Sequence, residues 1–580
     1  KGEYLVARKK ISGKPAKEIL SALLPRFIAS IPFRKSMRWM NLEMRFARPV
    51  HWILALFGGE VVPFRMENVE SGNRSRGHRF MAPEPFEVKD LEDYLNKTRE
   101  RFVIVKPEER RALLMVGAQK EAAAVSGTVL RNDDLLEEVT FLVEYPSALC
   151  GTFEKEYLKL PREVLVTTMT KHQKYFPVVN SRGDLLPHFI TISNTAASDP
   201  SVVARGNEKV IRARLADARF FFEEDRKAPL ESYLDELKNV VFHSQLGTSY
   251  EKVMQFRELA RYIAGKVKPE AAGTVDRTAL LAKADLETRM VYEFTELQGV
   301  MGREYALLSG EEPVVAKAVY EHYLPVAAGG SLPETDEGAI VSIADKMDTI
   351  AGFFGIGLVP SGTADPYALR RQALGIINII LNRAYPLDLE DLLDKSLDLL
   401  GAKVTRPRAD VERDVLDFFR GRFENQLVSQ GHPQDVVVAV LSRGSSDLLR
   451  SIRKIEAVEK FKTHKDFEPL VVAFKRVVNI LKDFQGGAVD PALFEGPEER
   501  NLHDTFLALR DRAGALIGED RCEEALVEMA RLRAPVDAFF ETVLVMAKDE
   551  KVRFNRLSLL AGLAGLFYQV ADFSKIVTER

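Results

Sequence analysis

The pattern of hydrophobic and polar positions changes along the chain. From Pro32 to about Asp199, short apolar runs of strand-like composition alternate with turn residues, and the stretch 108–124, rich in good helix formers, interrupts them. From Gly247 to about Leu400, and again from there towards the C-terminus, apolar residues recur with helical periodicity. The pattern therefore predicts a multidomain α+β protein that has a substantial sheet in its N-terminal region and helices elsewhere.

Three local predictions follow from the first part of this pattern. The run 174–194 is divided by the polar stretch Asn180–Asp184, so it predicts a β-hairpin that this stretch connects. The run 154–161, EKEYLKLP, is predicted to be another short strand. The charged segment 206–242 has a helical pattern but carries Phe220–Phe222, which are too apolar to face water together. We therefore expect a helical connector that docks onto neighbouring domains.

A helix start is predicted at Asp365-Pro366, because aspartate is a good N-cap and proline is well suited to the first helical position. The following sequence, YALRRQALGIINIIL, places Arg370 and Arg371 on the flank of an apolar stripe. We predict that this stripe is buried, and that it consists of Leu369, Ala373, Ile376, Ile377 and Ile380.

Two amphipathic helices are predicted near the C-terminus. In EPLVVAFKRVVNILKDF the apolar stripe is Phe474, Val477, Val478 and Leu481, which puts Lys475, Asn479 and Lys482 together on another face. In KVRFNRLSLLAGLAGLFYQVADF the stripe is Leu557, Leu560, Ala564, Phe567 and Ala571. Asn555 is a candidate N-cap of this second helix, with Arg553 and Arg556 at its start. Because arginine there opposes the helix dipole, a phosphate or a base is a candidate partner.

Length and composition set the broad class. With 580 residues and about 150 residues per domain as a guide, we expect several domains. A hydrophobic content of 46% with 29% charged residues is ordinary for a folded soluble protein, and no apolar run is long enough for a membrane span. The first residues lack the features of a secretory signal and resemble the middle of a domain, as if an N-terminal portion preceded them. With only two cysteines, Cys150 and Cys522, we expect a reducing, cytoplasmic setting.

The net charge of −3 means that any contact with nucleic acid must come from local basic patches. The sequence offers three of them, although a solvated face is the simpler interpretation of each patch taken singly. They are Arg8, Lys9, Lys10, Lys14 and Lys17; then Arg34, Lys35, Arg38, Arg45 and Arg48; then Lys209, Arg212, Arg214 and Arg219.

The region 240–350 resembles metal-dependent phosphohydrolases of the HD class. Asp285, His322 and Asp345 are metal-ligand types at comparable places, but the His-Asp pair is Ala284-Asp285 here. Two carboxylates and one imidazole fall short of the ligand set that a hydrolytic divalent site needs. We therefore expect a degenerate HD-like site without a metal. Phosphate-binding, dinucleotide-binding, nucleophile-elbow and zinc-protease motifs are absent from the sequence, and no adenylate-forming sheet can be placed in it.

Several strings, in order along the whole chain, resemble the beta subunit of the bacterial-type heterotetrameric glycyl-tRNA synthetase. The most specific are EFTELQGVMGREYA (293–306), ADKMDTIAGFFGIG (344–357), DPYALRRQALG (365–375) and RFNRLSLL (553–560). Others are IPFRKSMRW (31–39), FARPVHWI (46–53), GHRFM (77–81), QKYFPV (173–178), GNEKVIRARLADARFFFEEDRK (206–227) and QLGT (245–248).

The resemblance implies a domain order. Residues 1–205 would form a β-rich region similar to the editing-type domain of phenylalanyl-tRNA synthetase, and 206–245 a helical linker. Residues 246–400 would form an HD-like helical domain, and 401–580 an all-α anticodon-binding domain of the arginyl-tRNA synthetase type.

The resemblance also implies function. This subunit would bind tRNA(Gly), while a separate alpha subunit, in an alpha-two beta-two assembly, would use ATP with Mg to activate glycine. The chain itself would bind no cofactor and hold no catalytic residue. Its anticodon-contact candidates, which match the family's C-terminal strings, are Lys475, Arg476, Asn479, Arg553, Asn555 and Arg556. An HD-type phosphohydrolase and a stand-alone tRNA-binding protein remain as alternatives.

Overall fold

The computed structural model describes residues 13–482, 484 and 486–578, and the chain divides into two compact units, Lys1–Glu223 and Glu224–Arg580. The protein is mostly helical, and its sheets are small. None of the described helices combines the length and the apolar character that a membrane crossing requires. The predicted domain boundaries after residues 205, 245 and 400 stay predictions.

The first unit alternates short strands with helices. Its strands are β1 (Ile53–Leu54), β2 (Leu56–Phe57), β3 (Glu60–Val61), β4 (Arg65–Met66), β5 (Val69–Gly72), β6 (Arg74–Arg76), β7 (Pro85–Glu87), β8 (Thr128–Val129), β9 (Ser147–Thr152), β10 (Phe176–Val179) and β11 (Leu185–Ser193). Its helices are α1 (Ala16–Ser30), α2 (Leu91–Glu100), α3 (Pro107–Ala124), α4 (Asp133–Leu142), α5 (Arg162–Thr167) and α6 (Pro200–Asp225).

The largest sheet described in this unit has four antiparallel strands in the order β8-β10-β11-β9. One of its faces packs against α3 and α4 in a core that includes Leu114, Leu135 and Phe176. The predicted hairpin is confirmed: Asn180–Asp184 joins β10 to β11, and the Asn180 side chain accepts hydrogen bonds from the Arg182 and Asp184 amides.

Two of the strand predictions in this unit need correction. The sequence EKEYLKLP does not form a strand, because Lys155–Lys159 is a 3-10 helix whose Tyr157 is buried. The expected substantial sheet is instead several small ones, the largest described having four strands. In α6, Phe222 is buried but Phe220 is 51% exposed. The apolar composition of Phe220–Phe222 therefore did not indicate which of these side chains would be buried.

The second unit is helical apart from the small hairpin of β12 (Val241–His243) and β13 (Gly247–Thr248). Its helices are α7 (Ser249–Val267), α8 (Ala272–Leu281), α9 (Arg289–Glu293), α10 (Val300–Leu308), α11 (Pro313–Glu321), α12 (Asp336–Gly355), α13 (Leu369–Arg383), α14 (Leu389–Leu400), α15 (Arg408–Ser429), α16 (Gln434–Leu441), α17 (Leu448–Phe461), α18 (Phe467–Leu481), α19 (Pro497–Gly518), α20 (Cys522–Met529), α21 (Arg533–Thr542) and α22 (Glu550–Tyr568).

Helix α12 is buried on every side from Gly338 to Gly355, and helices α7, α8, α11, α13, α14 and α15 pack around it. Small residues allow these neighbours to come close: a Cβ at Gly352 would lie 3.1 Å from the Leu246 side chain. A helix enclosed on all sides carries its polar residues into the core, where they must find partners. Asp345, Lys346 and Asp348 are such residues.

The predicted apolar stripe of α13 is confirmed, since all five of its residues are fully buried. The predicted helix start is wrong by three residues, because α13 begins at Leu369 rather than at Pro366. Asp365 nevertheless satisfies the free N–H groups of the first turn, since its carboxylate accepts hydrogen bonds from the amides of Leu369 and Arg370.

Helices α18 and α22 pack antiparallel. Phe474 lies 5.2 Å from Phe567 between ring centroids, and Phe484, just beyond α18, lies 5.3 Å from Phe554 near the start of α22. The C-terminal end of α18 therefore lies beside the N-terminal end of α22. Asn555 is not the N-cap of α22, because the helix begins at Glu550 and the side chain of Asp549 caps it.

Candidate functional site

Asp285 acts as an anchor for backbone. It lies in a 3-10 turn, Ala284–Glu287, and is fully buried. Its Oδ2 accepts hydrogen bonds from the amides of Gly299 and Gly302, at 2.5 and 3.0 Å, at the start of α10. Burial raises the pKa of Asp285 to about 6. This carboxylate is therefore committed to holding the first turn of a helix.

Asp345 is neutralised by lysine. The ammonium groups of Lys252, on α7, and Lys283, after α8, lie 2.9 and 2.8 Å from its carboxylate oxygens. Lys252 also donates to the Asp348 carboxylate at 2.9 Å and to the Thr349 hydroxyl at 2.7 Å. Although burial acts in the opposite direction, the two ammonium groups hold the pKa of Asp345 well below its ordinary value. A buried carboxylate with two such partners is stable in its charged form.

His322 is a neutral imidazole at the end of α11. Its Nδ1–H donates to the Val319 carbonyl at 2.5 Å, which leaves Nε2 as a hydrogen-bond acceptor. Burial, followed by the positive charge of Lys283, keeps the pKa of His322 well below its ordinary value. Nε2 is buried and has no hydrogen-bond partner among the described residues.

The structure does not bring these three predicted residues together at one point. His322 and Asp345 line one cavity, whereas Asp285 faces the start of α10. Two ammonium groups already neutralise Asp345, and their charge would repel a divalent cation. Within residues 13–482, 484 and 486–578, no group of three or more His, Cys, Asp or Glu side chains is arranged to hold a metal ion.

Sequence reasoning considered the acids and histidines of this cluster and missed its lysines. Lys346, on α12, donates hydrogen bonds of 2.6–3.0 Å to the Ser342 hydroxyl and to the carbonyls of His322 and Leu324. These two carbonyls belong to the segment that follows α11. The available signal was a lysine within VSIADKMDTIAGFF, a segment too apolar to lie at the surface.

Lys346 should make stability depend on pH. Burial lowers its pKa to about 7, with Lys283 and Lys252 adding to the decrease and Asp345 opposing it. Between about pH 7, the folded-state pKa, and pH 10.5, the ordinary pKa, Lys346 carries a proton in the unfolded chain but not in the folded chain. The free energy of unfolding therefore rises with pH over this range. We expect the free energy of unfolding to gain about 2 kcal/mol from this residue between pH 7 and pH 9. Urea unfolding should show that Lys346→Met lacks this gain, and an unchanged pH slope would contradict the assignment.

Asn555 and Arg556, two of the predicted anticodon contacts, are buried and engaged within the protein. The Asn555 side chain accepts from the Asp490 amide at 2.7 Å and donates to the Asp490 carbonyl at 3.0 Å. Arg556 forms ion pairs with Glu499 and Glu495, both at 2.7 Å, and donates to the Leu544 carbonyl at 3.0 Å. Glu499 in turn accepts from the amides of residues 495 and 496, which fixes the start of α19. Both side chains therefore hold separate segments together.

Lys475 and Arg476, also predicted contacts, are tethered more loosely. Lys475 is half-buried and donates to the Ile576 carbonyl at 2.7 Å. Arg476 is exposed, and its guanidinium lies 4.4 Å from the centre of the Phe540 ring. Each side chain keeps part of its polar group available to a bound molecule. Both residues, however, lie in the middle of α18, away from the start of α22.

A different set of residues lies at the end of the helix pair where α18 finishes and α22 starts. We call Asn479, Lys482, Arg553 and Phe554 the α18/α22 end. Asn479 and Lys482 are exposed, Arg553 is half-buried beside Glu550, and Phe554 is 49% exposed. Among the described residues, the Asn479 side chain has no hydrogen-bond partner. Sequence reasoning missed Phe554, although an aromatic residue between two basic helix-start positions was a usable signal.

The three basic patches differ in how their charges are used. Residues 8–10 lie outside the described part of the chain, while Lys14 and Lys17 pair with glutamates. In the third patch, Arg212 and Arg219 also pair with glutamates. All five basic residues of the second patch are exposed, and none forms an ion pair with a described residue. The second patch therefore keeps the charge of all five residues available to a polyanion.

The chain is similar to known proteins over its full length. The family profile described as glycyl-tRNA synthetase beta subunit matches residues 1–442. The glycine-tRNA ligase beta subunit of Syntrophus aciditrophicus is 62% identical over 579 residues, which is 100% of this chain and 84% of that protein. The proteins of the same name from Geobacter metallireducens and Syntrophotalea carbinolica are 54% and 55% identical over 576 residues, again covering 99% of this chain and 84% of each relative.

Proposed function

The chain belongs to the glycyl-tRNA synthetase beta subunit family, and we propose that within glycine-tRNA ligase it holds tRNA(Gly) while a separate alpha subunit activates glycine. ATP with Mg would then be bound by the alpha subunit, and the two kinds of subunit would assemble as alpha-two beta-two. The domain order inferred from sequence, with an editing-type region, a linker, an HD-like domain and a C-terminal anticodon-binding domain, belongs to the same proposal.

The observation that carries the tRNA-binding role is the composition of the α18/α22 end. A side-chain amide without a partner can hydrogen-bond the edge of an unstacked base, and an exposed aromatic ring can stack on its face. Lys482 and Arg553 supply positive charge beside them for the phosphates. We therefore assign base contacts to Asn479 and Phe554, phosphate contacts to Lys482 and Arg553, and a supporting role to Asn555 and Arg556. Lys475 and Arg476 are proposed as flanking contacts.

The division of labour can be tested with the purified chain. Alone, it should bind tRNA(Gly) with an affinity that falls steeply as salt rises, and it should form no glycyl-adenylate. Adding the alpha subunit should restore glycylation. Adenylate formation by the isolated chain would overturn the division, and failure of the alpha subunit to associate would favour the stand-alone tRNA-binding alternative. No feature of the cluster around Asp345 favours the phosphohydrolase alternative, because lysines neutralise its carboxylate.

Phe554→Ala should weaken tRNA(Gly) binding about tenfold, because stacking of one base on an aromatic ring contributes roughly 1–3 kcal/mol. Filter binding at two salt concentrations measures the effect, and the salt dependence should be unchanged, since no charge is lost. Tyr292→Ala is the control: Tyr292 is 84% exposed in the same unit, on α9, and should leave binding unchanged. Equal losses in the two variants would remove Phe554 from the interface.

A further inference from the structure

A cavity of about 460 Å³ lies beside the buried helix α12. Residues of α7, α12 and α13 line it, together with Lys283 and the residues that follow α11. Its volume falls within the range that small-molecule sites occupy. Its lining combines a cationic cluster with an aromatic wall, and the tRNA-binding role proposed above uses neither.

The cationic side is unusual for a protein interior. Three positively charged side chains line the cavity, namely Lys252, Lys283 and Arg371, whereas Asp345 is the one carboxylate among the lining residues. Lys346 also lines it, but with a pKa lowered to about 7 it carries only part of a charge near neutral pH. Asp348 and Asp285 lie further back, where Asp348 binds Lys252 and Asp285 binds backbone amides. Buried cations are costly unless they are paired. The excess of positive charge on the lining therefore favours an anionic occupant.

Polar groups without partners mark the same cavity. The Arg371 guanidinium is exposed at its edge and makes no hydrogen bond or ion pair with a described residue. Nε2 of His322 and the hydroxyl of Tyr323 are buried, and neither has a hydrogen-bond partner in the described part of the chain. His322 is fully buried and neutral, so Nε2 can accept a hydrogen bond from a hydroxyl group. Buried polar atoms of this kind are rare unless a ligand or water satisfies them.

The aromatic side is formed by Phe353 and Tyr367, whose rings stack with centroids 3.9 Å apart and planes 21° apart. The ring of His243 meets both edge-on. Tyr367 is 38% exposed, so its outer face can receive another flat ring. A flat ring and an anionic group are thus both accommodated within one cavity.

We propose that this cavity binds a nucleotide, with the phosphate near Arg371 and Lys283, a ribose hydroxyl near His322, and the base against Tyr367. The nucleotide is either free or the last residue of an RNA strand, and the two sources share this chemistry. Lysines supply the positive charge here, so binding needs no metal ion.

The test uses the full chain without its partner subunit and measures binding of adenosine 5′-monophosphate and of ribose 5-phosphate by calorimetry. Arg371→Gln should weaken both about tenfold, because a charge-assisted hydrogen bond to phosphate is lost. Tyr367→Ala should weaken only the nucleotide, by a similar factor, because ribose 5-phosphate has no base to stack. Circular dichroism verifies that both variants are folded.

Arg370→Gln is the matched control. It removes the same charge one residue away, from a guanidinium that donates to the carbonyls of Gly362 and Ala364 and does not line the cavity. This variant should bind both ligands as the wild type does. Absence of nucleotide binding at millimolar concentration, or equal losses in Arg370→Gln and Arg371→Gln, would overturn the proposal.

Competition with tRNA(Gly) distinguishes the two sources. If intact tRNA displaces the nucleotide and tRNA lacking its 3′-terminal nucleotide does not, the cavity receives the end of the RNA strand. If neither tRNA displaces it, the cavity serves a free nucleotide. Displacement by both forms alike, together with insensitivity to Arg371→Gln and Tyr367→Ala, would place nucleotide binding elsewhere and contradict the proposal.

Discussion

Arg556→Ala is expected to lower the free energy of unfolding of the C-terminal helices by about 3–5 kcal/mol, the usual cost of removing one partner from a buried ion pair. The substitution leaves the carboxylate of Glu499, which is fully buried, without its ion-pair partner. It also removes the donor to the Leu544 carbonyl, so the segment before α22 loses its attachment. Urea unfolding measures the effect, and tRNA charging should fall with it.

Arg553→Ala is the comparison for this prediction. Arg553 sits on the same helix, but its ion pair with Glu550 is at the surface, and such pairs contribute little. The free energy of unfolding of the Arg553→Ala variant should differ from that of the wild type by less than about 0.5 kcal/mol. Any loss of tRNA binding in this variant would therefore come from a lost contact with the tRNA. The double variant Arg556→Met with Glu499→Gln should recover part of the lost stability, because no unpaired charge stays buried. If Arg556→Ala unfolds as the wild type does and loses only tRNA binding, the guanidinium contacts RNA.

Asp345→Ala should be about as costly, at roughly 3–5 kcal/mol, because it leaves the ammonium of Lys283 buried without a carboxylate. Lys252 keeps its pair with Asp348. The stabilisation from Asp345 should also depend on pH, because the folded-state pKa of this carboxyl lies below its ordinary pKa. The stabilisation is fully present when the pH is above the ordinary pKa, and it is lost as the pH falls through the folded-state pKa. Chemical unfolding at neutral and acidic pH measures both effects.

Two further variants separate this explanation from a metal site. Lys283→Met combined with Asp345→Ala should be less destabilised than Asp345→Ala alone, since the uncompensated ammonium is removed with its partner. Asp235→Ala, which breaks an exposed pair with Lys238, should change stability by less than about 0.5 kcal/mol. If Asp345 instead held a metal, a chelator would reproduce the loss caused by Asp345→Ala, and Lys283→Met would not relieve it.

Much of the architecture could be predicted from local sequence. The hairpin at Asn180–Asp184, the helix over 108–124 and the stripe of α13 were predicted because each depends on residues close together in the chain. Lys155–Lys159 was predicted wrongly because a short segment with apolar residues at close spacing suits a strand and a 3-10 turn almost equally. The sequence correctly predicted that Asp365 caps the start of α13, but it did not predict that the first helical residue is Leu369.

The candidate sites were less predictable because their residues depend on distant partners. Asn555 and Arg556 belong to a string that resembles an RNA-binding motif, yet Asp490, Glu495 and Glu499, to which they bond, lie 57–65 residues earlier in the chain. Lys252 meets Asp345 across 93 residues. No periodicity can indicate whether a charged side chain will find a carboxylate so far away.

The sequence by itself determined the family of this protein and the face that α13 buries, because identity and periodicity are properties of the chain. For α22 it did not, since Leu557 of the predicted stripe is only half-buried while Leu559 and Leu563 outside it are buried. Only the tertiary structure decided which charged residues remain free to act. Packing encloses α12 on all sides, so that its acids pair with Lys252 and Lys283 and its own Lys346 donates to backbone carbonyls. It leaves Asn479 exposed and Phe554 half-exposed at the end of α18 and α22, because the segment that follows α18 covers only part of this end through Phe484.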